Sequence, residues 1–233
     1  EGIVEERHRD VLDSEGACQF SYKHKDGIFR MSIYKVQGAY SLAIRQIPSE
    51  LPTLDAMEVP VQMKDLVKKD KGLLLITGPA GSGKTSTLHA LIGFINQTEN
   101  RHIITIEEPV EYYHESEKSI VNQREVGEDV PSAVDGVQQA LEQDPDILVI
   151  GEISDYEMAD LALEVSETGH LVLGTLSTGG TVHAIKWILD TAPTNYQNLM
   201  RQRLAGSIVG ILSQVLLPPR EGGRSEEHTS ELQ

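Results

Sequence analysis

Along this 233-residue chain the spacing of apolar and polar residues changes character between segments. Over residues 18–47, "CQFSYKHKDGIFRMSIYKVQGAYSLAIRQI", they alternate singly, and Asp26-Gly27 and Gln37-Gly38 break the alternation with turn chemistry. A period of two with such breaks predicts an antiparallel meander of three strands. The next stretch, "PSELPTLDAMEVP", carries Pro48, Pro52 and Pro60 and reads as a linker over 48–60 that can serve as a hinge. From Gly72 onward, short runs rich in Ile, Leu and Val recur at 73–77, 103–106, 147–150 and 171–174. Stretches of helical spacing fall at 84–96, 132–143, 156–168, 182–189 and 196–216. That alternation predicts an α/β unit, a mostly parallel sheet covered by helices.

The ends carry no such pattern. "RSEEHTSELQ", Arg224 to Gln233, follows Gly222-Gly223 without apolar periodicity and looks more like translated sequencing adapter than protein. It is set aside as a non-native tail over 225–233. The start, "EGIVEERHRD", has no initiator Met and no signal pattern, so the sequence reads as cut at both ends.

Composition narrows the classes. Apolar residues at 39% and charged residues at 24% fit a soluble globular protein. No run approaches the roughly 18 to 20 apolar residues of a membrane span, so direct insertion is not expected. Cys18 stands alone, which rules out an internal disulfide or a four-cysteine zinc site in these residues and suits a reducing cytoplasm. The formal charge of −16 repels phosphate backbones, so no nucleic-acid partner is expected and a translocase on DNA or RNA is disfavoured.

The chemistry sits where the apolar runs break. Gly78-Pro79-Ala80-Gly81-Ser82-Gly83-Lys84-Thr85, followed by Ser86, fits G-x-x-x-x-G-K-[ST] in full, between a predicted strand and a predicted helix. Glycines let several N–H groups converge on phosphate oxygens, and the helix start adds its positive dipole end. Lys84 can reach the β- and γ-phosphates of ATP, and the Thr85 hydroxyl can ligate Mg²⁺. A second strand, "DILVIGE", ends in Glu152, at the sheet edge where ligands of open α/β sheets bind. A carboxylate there can orient or deprotonate an attacking water. Ser154 and Glu157 fit a capping box for the helix that follows.

Taken together, Gly78–Thr85, "TIEEPVE" (Thr105–Glu111), "VNQREVG" (Val121–Gly127), the Glu152 strand and "ETGHLVLGTLST" (Glu167–Thr178) resemble the type II/IV secretion ATPase superfamily, on its pilus-retraction branch. The resemblance runs from about Phe29 to Arg224. It implies a RecA-like P-loop NTPase core over 61–224 with its C-terminal end missing, preceded over 1–47 by part of a small antiparallel α+β, PAS-like, N-terminal domain. It implies an ATPase working as a homo-hexameric ring motor for pilus retraction. Its partner would be the cytoplasmic face of an inner-membrane pilus platform protein, with the motor cytoplasmic and peripheral to that membrane. An assembly or secretion ATPase of the same superfamily is the neighbouring reading.

The resemblance also assigns roles. Glu152 corresponds to the catalytic glutamate, Glu111 to the acidic-box carboxylate that organises Mg²⁺ and water, and His170 to a histidine-box residue near the γ-phosphate. Arg30 and Arg45 correspond to N-terminal-domain arginines that approach the nucleotide, and Arg124 is a further candidate for a contact between subunits. This chain departs where the family usually has histidine (Ser177) or arginine (Ser154, and commonly Gln138, Glu142 and Trp187). Those departures keep open a nucleotide-binding accessory subunit with weak or no hydrolysis. Retention of Lys84, Thr85, Glu111 and Glu152 favours a working ATPase.

Overall fold

The computed structural model describes residues 4, 6–48, 50–217 and 228–232, the last group as backbone only. It divides into two units, Glu1–Glu50 and Leu51–Gln233.

The first unit is helix α1 (Glu6–Glu15) followed by the meander β1 (Ala17–His24), β2 (Gly27–Val36) and β3 (Ala39–Gln46), antiparallel in the order β1-β2-β3. The meander matches the alternation of the sequence. Helix α1 was not expected from it. Leu12 of this helix joins Cys18, Phe20 and Met31 in a small core, and His8 stacks on Phe20 at 4.4 Å.

The second unit begins with the short α2 (Met63–Leu66) and continues with β4 (Gly72–Thr77), α3 (Lys84–Thr98), β5 (His102–Glu107) and β6 (Ile120–Glu125). After these come α4 (Ala133–Leu141), β7 (Ile147–Ile150), α5 (Tyr156–Glu167), β8 (Leu171–Leu176), α6 (Thr181–Thr191), α7 (Gln197–Ser207), β9 (Ile208–Leu216) and β10 (His228–Leu232). The sheet order is β10-β9-β4-β8-β7-β5-β6. Every neighbouring pair is parallel except β10 with β9.

Both sheet faces are covered, which is why the strands read as unbroken apolar runs. Leu73, Leu75, Ile104, Ile106, Leu148, Ile150 and Val172 point to one face, against Ala162 and Leu163 of α5, Ile188 of α6 and Leu204 of α7. Leu74, Ile76, Ile103, Ile147, Val149 and Leu173 point to the other, against Leu88, Leu91, Ile92 and Ile95 of α3.

Two expectations differ from the structure. The predicted helix over 196–216 ends at Ser207, and Ile208–Leu216 is a strand parallel to β4. The run "IVGIL" at 208–212 is β-branched and breaks at Gly210, where a Cβ would lie 2.7 Å from Leu66 Cδ1, so the chain passes from helix to buried strand. Residues 228–232 form β10, which pairs antiparallel with β9 at the sheet's edge. The capping box is also displaced by one residue. Asp155, not Ser154, caps α5 by accepting from Met158 N–H at 2.9 Å, and Ser154 donates to Asp155 instead.

Candidate functional site

In parallel strands all C-terminal ends lie on one edge, so β4, β5 and β7 deliver their following loops to the same side of the sheet. The phosphate loop follows β4. Its glycines have left-handed backbone at Gly81 (φ 76°) and Gly83 (φ 88°), which non-glycine residues rarely adopt. A Cβ on Gly78 would meet both Gln214 O and Ser82 Oγ at 2.4 Å, so the loop's tight curl admits no side chain there.

Gly83 is also the N-cap of α3 and offers no side-chain cap. The first N–H groups of α3, like those of α6 and α7, have no side-chain cap, and in α3 they open onto the phosphate loop. Ser82 Oγ is buried without a hydrogen-bond partner, as a group awaiting a phosphate oxygen would be. Lys84, buried at the same place, donates to Gly78 O at 2.9 Å and Pro79 O at 3.1 Å. Burial pushes its ammonium below the ordinary value, and the Glu152 carboxylate pulls it back up. Pro79 and Ala80 complete the loop between them. Thr85 and Ser86 follow on the first turn of α3, half-buried, with Ser86 Oγ 3.1 Å from the Tyr112 hydroxyl.

Glu152 lies just past the C-terminal end of β7 and is exposed, within electrostatic reach of Lys84. Ser177, at the end of β8, donates its hydroxyl to Glu152 Oε1 at 2.6 Å. Thr175 donates to Gly151 O at 2.5 Å, and Thr77, at the end of β4, bonds Thr178 through its backbone O (2.7 Å) and its hydroxyl (2.6 Å). The β8 end thus ties Glu152 to the strand carrying the phosphate loop. Sequence reading flagged Ser177 only as a departure. The overlooked signal is a run of hydroxyls, Thr175, Ser177 and Thr178, where an apolar strand meets the ligand edge. Glu111 sits half-buried in the loop after β5, on the same edge.

His170 does not join this group. It precedes β8, and its carbonyl accepts from Gly72 N–H at the start of β4. It therefore stands at the opposite edge, about 20 Å along a six-residue strand from the phosphate loop of its own chain. There its Nδ1 contacts Val165 O and Thr168 Oγ1, each at 3.2 Å. Arg30 and Arg45 are direct cross-strand partners on β2 and β3, two like charges side by side. Arg124 donates to Gln139 Oε1 at 2.8 Å.

A parallel sheet with an uncapped, glycine-lined phosphate loop after one strand and a tethered glutamate after another defines a P-loop NTPase core. The chain belongs to the Type II/IV secretion system protein family, whose model matches residues 8–227. It is similar to a type IV pilus retraction ATPase, PilT, of Pseudomonas aeruginosa, 38% identical across 97% of this chain and 66% of the relative. It is also similar to a twitching motility protein of Neisseria gonorrhoeae, 35% identical across 97% of this chain and 61% of the relative. A crystal structure of the pilus retraction motor PilT with bound ADP superposes with a TM-score of 0.95 and 42% identity, covering all of this chain and 67% of that one. The chain thus spans about two thirds of the length of these relatives.

Proposed function

We propose that this protein is a Mg²⁺-dependent ATPase acting as a subunit of a ring motor for type IV pilus retraction. The observation that carries the reading is the placement on one sheet edge of Lys84, buried in the phosphate loop after β4, and Glu152, held by Ser177 after β7. Backbone N–H groups of the loop and of the first turn of α3 would receive the β- and γ-phosphates of ATP, with Lys84 leaving the Gly78 and Pro79 carbonyls for phosphate oxygens. Glu152 Oε1 is engaged by Ser177, which leaves Oε2 to hold a water in line with the γ-phosphorus and take its proton.

Thr85 and, through water, Glu111 would hold Mg²⁺ beside the phosphates, where the ion neutralises charge that develops as the terminal bond breaks. Arg30 and Arg45 would act on a nucleotide bound by a neighbouring subunit. A homo-hexamer docked on the cytoplasmic face of an inner-membrane platform protein fits the similarity to PilT, as does a cytoplasmic, membrane-peripheral location. Among the described residues no helix is long and apolar enough to cross a membrane. A non-hydrolysing accessory subunit is the weaker reading, because the Ser177 hydroxyl orients a carboxylate that such a subunit has no need to orient.

The test pairs binding with turnover. Glu152→Gln is expected to bind ATP and ADP like the parent protein while losing at least roughly 10²-fold in turnover. Parent-level turnover in that variant moves the base elsewhere and overturns the assignment.

A further inference from the structure

Behind the phosphate loop lies a buried polar cluster that the proposed reaction leaves unexplained. His89 of α3 is fully buried, and its Nε2 stands 3.1 Å from Oε2 of Glu107, itself 3% exposed. The contact lies off the line of the ring N–H, so it is a close polar contact rather than a straight hydrogen bond. His89 Nδ1 is 3.0 Å from His114 Nε2, and the two rings lie nearly parallel with centroids 5.2 Å apart. The Tyr112 ring packs at 5.0 Å from His89.

Glu107 Oε1 also accepts from Thr105 Oγ1 at 2.6 Å and from Gln123 Nε2 at 3.0 Å. Gln123, on β6, donates again to Tyr112 O at 2.8 Å and accepts from the His114 backbone N–H at 2.8 Å. These contacts bracket one residue. Glu107 precedes Glu111 in the chain, Tyr112 and His114 follow it, and all three are held by α3 on one side and β6 on the other.

A buried imidazole beside a buried carboxylate is costly to desolvate. On the same face of α3, one turn before and two turns after His89, Ser86 Oγ lies 3.1 Å from the Tyr112 hydroxyl, and Asn96 donates to Glu115 O at 2.7 Å and accepts from Glu117 N–H at 3.0 Å, so this face as a whole engages the segment that follows Glu111. From this geometry we infer that His89 is a positioning residue: it registers the acidic segment, and Glu111 with it, on the helix that receives the phosphates. The inference rests on the ATPase reading, which gives Glu111 its task.

The experiment compares His89→Ala and His89→Gln with the parent in the full chain, measuring kcat, KM, affinity for a fluorescent ADP analogue and thermal unfolding. His89→Ala is expected to lower kcat about tenfold or more while ADP affinity stays within about twofold, because a misplaced group costs rate rather than phosphate binding. His89→Gln keeps a donor toward Glu107 and is expected to recover most of the loss. An unchanged kcat in His89→Ala overturns the inference, and so does an equal loss of kcat and ADP affinity that follows the loss of thermal stability. A parent without turnover refutes the ATPase reading, and the positioning role is then judged by resonance shifts. Movement of the Glu111 amide signal in His89→Ala, and of the His89 ring nitrogens in Glu107→Gln, supports the role. Unmoved signals overturn it.

Discussion

Acidification is a direct probe of the buried cluster beside the phosphate loop. Burial, with the His89 imidazole alongside, pushes His114 from the ordinary 6.5 down to about 4, and the Glu107 carboxylate only partly opposes this. The folded pKa therefore lies below the unfolded one, so between these values the unfolded chain binds more protons. Stability is complete above pH 6.5, falls as the pH drops toward 4, and loses nothing further from this group below that. At about pH 5 the linkage amounts to roughly 2 kcal/mol, saturating near roughly 3 kcal/mol at lower pH.

The assay is urea unfolding at about pH 7.5 and about pH 5, for the parent and for His114→Gln, which does not titrate. Trp187, the sole tryptophan, reports on the second unit. Comparing the variant with the parent removes the pH dependence of the other acids, including Glu107, whose carboxylate is held below its ordinary value despite burial, by His89, Thr105 and Gln123. The stability difference between parent and variant should shift by about 2 kcal/mol against the parent on acidification. A difference that does not change with pH, or one that favours the parent at low pH, refutes the reasoning.

Three further outcomes follow from the site. Lys84→Ala should abolish or severely weaken nucleotide binding, measured by calorimetry with ADP, because a buried charge-assisted contact to phosphate is removed. Ser177→Ala should lower turnover by about three- to tenfold at unchanged ADP affinity, since exposure brings this hydrogen bond to a carboxylate below the usual 1.5 to 3 kcal/mol, to about 1 kcal/mol, and Ser177→Thr should restore it. Arg45→Ala should reduce turnover in assembled rings and not in isolated chains, read by turnover across a size-fractionated sample.

Some of this site was legible in the sequence because it depends on local chemistry. The phosphate loop is contiguous, and its glycines, Lys84 and Thr85 need only a strand before and a helix after. Glu152 was legible because a buried strand that ends in a carboxylate places it at a known edge. The Ser177 bond was not legible, since it joins the ends of β7 and β8 across a gap of 25 residues and depends on their parallel register. His89 was hidden for the same reason, since its contact with His114 spans 25 residues and depends on how the segment after β5 lies against α3. The placement of His170 failed on strand direction. A residue at the start of a parallel strand faces away from the edge where its end delivers the ligand groups. The helix drawn through 208–216 failed because a buried β-branched run has no period that separates helix from strand.

The measurement that tests the central claim most directly is Mg²⁺-dependent ATP turnover as a function of protein concentration, with oligomer size read in parallel and Glu152→Gln as the control. The account predicts turnover that requires Mg²⁺, rises as rings form and disappears in the variant. Tight nucleotide binding with no turnover at any concentration, or turnover indifferent to Glu152, would contradict it.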